Sequence, residues 1–194
     1  MTTRRRSRYA ALAAGLVAVA LAAGVLPAAP AAARAPVNAC ANPDLATGAD
    51  GWETVVGRGG RSPSERGGFQ FSINNIPEPM AAVRMPRLPV EPGQTWSLGV
   101  LARSPYDNLA RLRVEVDWLS AGGATLGHAD GDYRRLGGGR TSVPVSGVFT
   151  APGGAAVADV VVRGADLLST SGAFYSTRCT YHLVTGAGEP TATS

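Results

Sequence analysis

Two runs decide the fold: Thr95-Trp96-Ser97-Leu98-Gly99-Val100-Leu101-Ala102-Arg103 and Leu112-Arg113-Val114-Glu115-Val116-Asp117-Trp118. In the first, Trp96, Leu98, Val100 and Ala102 fall on one side of an extended chain, while Ser97, Gly99 and Arg103 fall on the other. The second alternates more cleanly, with Leu112, Val114, Val116 and Trp118 set against Arg113, Glu115 and Asp117. Successive side chains of a strand point to opposite faces, so a period of two predicts one buried face and one wet face, as in an antiparallel sheet. Two long neighbouring runs of this kind predict a β-sandwich. Pro92-Gly93 opens the first run as a turn, because proline presets φ and glycine accepts positive φ. Residues 104–110 between the runs read as a loop.

Working outward, the same alternation recurs in shorter pieces. Trp52 to Val56 reads as a strand, and Gly57 to Gly68 as a polar, glycine-rich mobile stretch. Phe69 to Ile73 alternates, and Met80 to Met85 is predicted to pair with it. Pro77, Pro79, Pro86 and Pro89 confine these pieces to sheet edges or strand ends. Past the second run, Ser120-Ala121-Gly122-Gly123 is a hairpin turn, Ala124 to His128 a return strand, and Ala129 to Thr141 a polar loop. Val143 to Thr150, Val157 to Arg163 and Gly172 to Val184 complete the strands. No segment carries a helical period. The expectation is an all-β, antiparallel β-sandwich of the jelly-roll kind, a single domain over residues 40–184.

The chain has 194 residues, and its start reads as a targeting segment. Arg4, Arg5, Arg6 and Arg8 are followed by an apolar run from Ala10 to Ala29 and by Ala31-Ala32-Ala33. That order is a secretory signal peptide, residues 1–33, with the cut expected after Ala33. The apolar run also approaches the ~20 residues that a bilayer span needs. Val37-Asn38-Ala39-Cys40 faintly resembles a lipid-attachment site. Pro27, Pro30 and the alanine-rich exit favour cleavage. Residues 34–39 read as a linker, and Thr185 to Ser194 as a disordered tail of small residues.

All 18 basic residues are arginines, and four of them lie in the targeting segment, leaving 14 against 14 acidic residues. The net charge of +4 therefore belongs to the leader. No basic patch points to nucleic acid or to an anionic membrane. Cys40 and Cys179 are the two cysteines. An even count in an exported chain predicts one disulfide, two buried free thiols being the alternative. Closing so long a loop is worth roughly 4–5 kcal/mol in the chain-entropy model.

Several stretches, taken in order, resemble one family. Asn42-Pro43-Asp44-Leu45-Ala46-Thr47-Gly48-Ala49-Asp50-Gly51-Trp52 resembles the opening Asn-x-x-Phe-Glu-x-Gly-x-x-Gly-Trp of family 4/9 carbohydrate-binding modules. Glu91-Pro92-Gly93-Gln94-Thr95-Trp96-Ser97-Leu98 is similar to their Pro-Gly-x-Thr-Tyr strand entry, and Val148-Phe149-Thr150-Ala151-Pro152-Gly153-Gly154-Ala155 to their Gly-x-Phe-x-x-Pro-x-Gly. The hairpin from Trp118 to Gly127 is also similar to theirs. The resemblance implies a galactose-binding-like jelly roll that binds polysaccharide or oligosaccharide. Two departures stand out. The family's opening Glu is Ala46, and its closing Tyr-x-Asp-Asp-Val is Tyr175-Ser176-Thr177-Arg178-Cys179. In relatives those carboxylates help hold a structural calcium, which needs several oxygen ligands. Their loss implies no metal and no cofactor here, with the Cys40–Cys179 bridge in the ion's place.

Sugar sites combine apolar platforms with planar polar groups. On the wet face the candidates are Arg113, Glu115 and Asp117; in loops they are Tyr106, Asp107, Asn108, Tyr133 and Arg134. The strand trio also reads as an ordinary solvated face with cross-strand ion pairs, and the loop tyrosines as anchors. Trp52, Trp96 and Trp118 read as packing. Signals for catalysis are poor: His128 and His182 are far apart, and no Gly-x-Ser-x-Gly, His-Glu-x-x-His or phosphate loop occurs. Asp130-Gly131-Asp132 reads as a polar turn before it reads as a metal corner. Two functions stay open: a secreted, monomeric, non-catalytic module whose partner is carbohydrate, or a secreted structural or protein-interaction sandwich that has lost sugar binding.

Overall fold

The computed structural model describes residues 37–75, 80–104, 111–136, 141–165 and 172–185. The expected signal segment, the tail beyond Thr185, and Tyr106, Asp107 and Asn108 lie outside them. All regular structure among the described residues is strand. In chain order these are β1 Glu53–Val56, β2 Arg58–Pro63, β3 Phe69–Asn75, β4 Ala81–Arg84, β5 Leu88–Pro89 and β6 Thr95–Arg103. Then come β7 Arg111–Leu119, β8 Thr125–Asp130, β9 Arg134–Arg135, β10 Val143–Thr150, β11 Val157–Ala165 and β12 Gly172–Thr185.

They form two antiparallel sheets. The seven-stranded sheet runs β1-β4-β11-β7-β8, with β5 on β11 and β9 on β7. The five-stranded sheet runs β10-β6-β12-β3-β2. The expected jelly-roll β-sandwich is therefore what forms. The two runs that predicted it do not pair with each other. β6 lies between β10 and β12 in the five-stranded sheet and β7 between β11 and β8 in the other, so consecutive strands sit in opposite layers. Their apolar sides meet in one core, where Val114, Val116 and Trp118 from β7 face Leu98 and Val100 from β6, with Phe71, Ile73 and Phe174 beside them. Trp52, Trp96 and Trp118 are all buried, as packing residues should be. Tyr181 of β12 reaches across the core, and its hydroxyl donates to the Pro86 carbonyl at 2.9 Å. Burial holds that phenol well above its ordinary pKa, so it stays a neutral donor.

Four local expectations are corrected. Gly57 to Gly68 contains a strand, β2, on the edge of the five-stranded sheet. Its polar composition is anchored by Arg61, whose Nε donates to the Leu45 carbonyl at 2.8 Å and whose guanidinium carbon lies 3.2 Å from the Phe69 ring centroid. Second, β3 and β4 do not pair. β3 joins β2 and β12, while β4 lies between β1 and β11. Ala81, Ala82 and Val83 are buried whichever way they point, which suits an interior strand and not an edge partner. Third, the loop expected from Ala129 is shortened, because β8 continues to Asp130 and β9 pairs with β7. Fourth, the wet face of β7 is not fully wet: Glu115 is only 4% exposed.

The hairpin after β7 forms as expected. The Gly123 amide donates to the Ser120 carbonyl at 2.9 Å, and Gly123 has φ of 82°, a conformation that glycine adopts without strain. The Cys40–Cys179 disulfide also forms, across a Cα separation of 6.1 Å. Around it, Asn38 and Ala39, expected within a linker, lie against β12. The Asn38 amide donates to the Cys179 carbonyl at 2.9 Å, and the Ala39 amide to the Tyr181 carbonyl at 2.8 Å. β3 covers β12 only as far as Ser176. Beyond that point the chain start takes over the edge, the Cys179 amide donating to the Pro43 carbonyl at 2.8 Å.

Candidate functional site

The outer face of the seven-stranded sheet carries Arg113, Glu115 and Asp117, as their spacing on β7 requires. The structure brings Arg113, Glu115 and Tyr133 together and adds partners from neighbouring strands. Arg113 contacts Glu115 at 2.7 Å and Asp130 at 2.9 Å. Arg163, opposite Arg113 on β11, holds the other side of Glu115 at 2.7 Å. The guanidinium carbons of Arg111 and Arg113 lie 5.3 and 4.8 Å from the Tyr133 ring centroid. Arg134 is exposed on β9, next to this cluster in sequence. The two arginines folded over Glu115 explain its burial. A carboxylate is tolerated there because each oxygen meets a cation.

Farther along, His128 is clamped, its Nδ1 at 2.7 Å from Asp117 and its Nε2 at 2.7 Å from Asp130. These carboxylates raise its pKa above the ordinary 6.5, the Asp117 hydrogen bond most and Asp130 next, with burial opposing. Glu115, His128 and Asp130 bring one ligand atom each within 4.8 Å of one another. Their ligand atoms are nevertheless engaged: arginines hold both carboxylates, and the two ring nitrogens face Asp117 and Asp130. A cation would have to displace these cations first. The pattern continues on β4 and β11, where Arg84 contacts Glu53 at 2.6 Å and Asp159 at 2.9 Å, and Arg87 contacts Asp159 at 3.3 Å. The Arg84–Asp159 contact lacks hydrogen-bond alignment, since Arg84 Nε and Asp159 Oδ1 are both without a hydrogen-bond partner. From Glu53 to Asp130 the face is a lattice of matched charges, with Arg134 and Arg135 of β9 exposed beside it.

The outer face of the five-stranded sheet is built differently. Along β6 it presents Thr95, Ser97, Gly99, Leu101 and Arg103. At Gly99 a side chain could not fit, because a Cβ would lie 2.7 Å from the Ser146 Cβ on β10. One end of this face holds a cleft of about 400 Å³, floored by Leu101 and Arg103 from β6 and by Thr177 and Arg178 from β12. Phe69, Ser64, Arg66, Ser142 and Asp44 are among the residues around it. Thr177 is a bulge: Ser176 pairs with Ala102 and Arg178 with Leu101, leaving Thr177 extra. A bulge re-aims side chains. Here it turns two successive residues toward the cleft and returns Cys179 to the interior.

Arg103 is 2% exposed. Its Nη2 donates to Gln70 Oε1 at 2.8 Å, and its guanidinium carbon lies 4.5 Å from the Tyr175 ring centroid. Gln70 Nε2 in turn reaches Ser62 Oγ at 3.4 Å, which shares a proton with Ser72 Oγ at 2.6 Å. Arg103 Nε has no hydrogen-bond partner. Among the described residues, no ion pair uses Arg66, Arg103 or Arg178. Sequence reasoning missed this cleft. Arg103 was legible only as a charge on a strand's polar side, and nothing local marks it as buried. The one available signal was Arg178, standing where the resembled family carries carboxylates.

No protein-family model matches the sequence, and no curated protein matches it. Solved structures do. A family 16 carbohydrate-binding module shares 18% identity at a TM-score of 0.53, over 74% of this chain and 99% of that one. The CBM22-1 xylan-binding domain of Xyn10C from Paenibacillus barcinonensis shares 12% identity at 0.55, over 75% and 94%. The enzymatically active domain of tailspike protein 4 from bacteriophage CBA120 shares 17% identity at 0.56, over 76% of this chain but only 21% of that one. At these identities the likeness establishes the jelly-roll β-sandwich.

Proposed function

We propose that this chain is a secreted, monomeric, non-catalytic carbohydrate-binding module, and that its saccharide lies in the cleft at the end of the five-stranded sheet's outer face. The observation that carries the proposal is the composition of the cleft. Fixed planar donors from Arg103 and mobile ones from Arg66 and Arg178 surround hydroxyls of Ser64, Ser142 and Thr177 and apolar surface from Leu101 and Phe69. A sugar ring offers hydroxyl edges and apolar faces, and this set matches both. The names of two structural neighbours, a family 16 carbohydrate-binding module and a xylan-binding domain, support it. The sequence resemblance to families 4 and 9 points the same way. A non-catalytic role fits the carboxylates. A glycosidase needs a facing pair, and Asp44 is the one carboxylate lining the cleft among the described residues. The residues Arg113, Glu115, Asp117, Tyr133 and Arg134 then act as a brace on the opposite face, with Tyr106, Asp107 and Asn108 of the β6–β7 connection as proposed rim contacts.

Affinity electrophoresis of the mature chain in gels containing soluble polysaccharides tests this. At least one polysaccharide should retard it, and Arg178→Ala should abolish the retardation with the melting temperature unchanged. Free migration through every neutral and acidic polysaccharide would sink the proposal in favour of a structural or protein-interaction role, which the self-paired face of the seven-stranded sheet would then serve.

A further inference from the structure

Building on the reading of the cleft as a saccharide site, we infer that its ligand is an anionic saccharide, one whose sugar carries a carboxylate, as in a polyuronate. Three observations converge. The first is the sign of the charge. Arg66, Arg103 and Arg178 line the cleft against the single carboxylate of Asp44. On the other face Arg84, Arg87, Arg113 and Arg163 each meet an acidic side chain of this chain. The cleft arginines do not, among the described residues. Three arginines facing one carboxylate give the cleft a net positive lining, in a mature segment that balances 14 arginines with 14 acids.

The second observation is Arg103 itself. A buried donor without a partner costs stability, and such groups in native proteins call for an explanation. Arg103 Nε is one, on a side chain 2% exposed. Gln70 occupies Nη2, and Tyr175 faces the guanidinium, so the group cannot swing away to water. A ligand oxygen would take the donor that the protein leaves open. A carboxylate suits a guanidinium better than a hydroxyl does, because the two are planar and meet through paired, charge-assisted hydrogen bonds.

The third is the setting. The cleft, about 400 Å³, lies within the roughly 300–1,000 Å³ of small-ligand sites. Ser64, Ser142 and Thr177 supply hydroxyls suited to the remaining sugar oxygens. The bulge at Thr177 sets Arg178 on the same side as Leu101. Neutral glycan recognition would need neither a buried cation nor three of them.

The test is a titration of the mature chain with four polymers: polygalacturonate, the same polymer fully methyl-esterified, neutral xylan and dextran sulfate. Polygalacturonate should bind, and esterification should weaken binding by roughly tenfold to hundredfold, the worth of a charged hydrogen bond. Arg103→Met should have the same effect on the acid polymer and none on the ester. Arg178→Ala, at an exposed position, gives a second reading if Arg103→Met fails to fold, and Arg87→Ala on the far face should leave binding unchanged. Equal binding of the acid and its ester, or binding confined to xylan, would overturn the carboxylate inference while leaving a saccharide site in place. Dextran sulfate binding as tightly as polygalacturonate would overturn it too, as undirected charge attraction. Silence from all four polymers, with the fold intact, would bring down the saccharide reading along with it.

Discussion

The two outer faces of this sandwich solve the same problem in opposite ways. Both carry arginines on strands whose other sides fill one core. On the seven-stranded sheet Arg84, Arg87, Arg113 and Arg163 are each answered by a carboxylate, from Glu53 through Asp159 and Glu115 to Asp130. On the five-stranded sheet Arg103 is answered by an amide and a ring, and one of its donors by nothing. The difference teaches where to look for binding. A closed charge network has no free valence for a ligand, whereas an open donor fixed in a cleft does. Charge density alone would point to the seven-stranded sheet, and an unpaired donor points to the other.

The comparison can be pressed by experiment, beginning with the staple of the five-stranded sheet. Reducing the Cys40–Cys179 bridge, or Cys179→Ala, releases a loop with a sequence separation of 139 and should cost about 5 kcal/mol. Thermal unfolding should shift down by roughly 10–20 °C, and added calcium should not restore it. A calcium-dependent rise in the reduced protein would show that an ion and not the bridge is the intended clamp. On the other face, Glu115→Gln leaves Arg113 and Arg163 confronting each other. A broken buried pair costs about 3 kcal/mol, and urea midpoints should report it while polysaccharide affinity stays at the wild-type value. Loss of affinity in that variant would erase the division of labour between the faces.

Smaller effects refine the picture. His128 has a raised pKa in the folded chain. Its contribution is therefore fully present below the unfolded value of about 6.5 and is lost as pH rises through the folded value. Melting temperature should drift down above neutrality, and His128→Gln should flatten that drift. The half-exposed, salt-screened setting limits the gain to below about 1 kcal/mol. A stability that rose with pH over the same interval would contradict the clamp. Smallest of all, Glu53→Ala removes the outermost link. Glu53 is 65% exposed and Arg84 keeps Asp159, so less than about 0.5 kcal/mol is expected, against the larger loss at Glu115.

The same contrast explains what could be read beforehand. Alternation over Thr95–Arg103 and Arg111–Leu119 discloses which side of each strand is buried, because the side-chain period is a local property. It is silent on which strand lies alongside, so β6 and β7 seemed natural neighbours and β3 and β4 natural partners. Those choices are settled by contacts distant in sequence, such as Val160 on Val116 and Thr180 on Gly99. β2 was invisible because Arg, Gly, Ser and Pro carry no strand signature; its partners are Leu45, Phe69 and Ser72. The candidate trio of β7 was correctly placed on one outer face, but its closure depends on Arg163 and His128 from other strands. Arg103 escaped notice for the complementary reason: composition rules expect an arginine at the surface, and only the tertiary neighbours Gln70 and Tyr175 make it an interior group.

The extra residue at Thr177 has one more implication. It offsets the register of β12 by a single step, so that Arg178 points out and Cys179 points in. Deleting Thr177 would restore regular alternation, leaving Ser176 and Cys179 inward and Arg178 outward, and would remove only the kink that sets two successive side chains against the cleft. The cross-link is therefore indifferent to a one-residue deletion at this point, while the side-by-side placement of Thr177 and Arg178 depends on the extra residue.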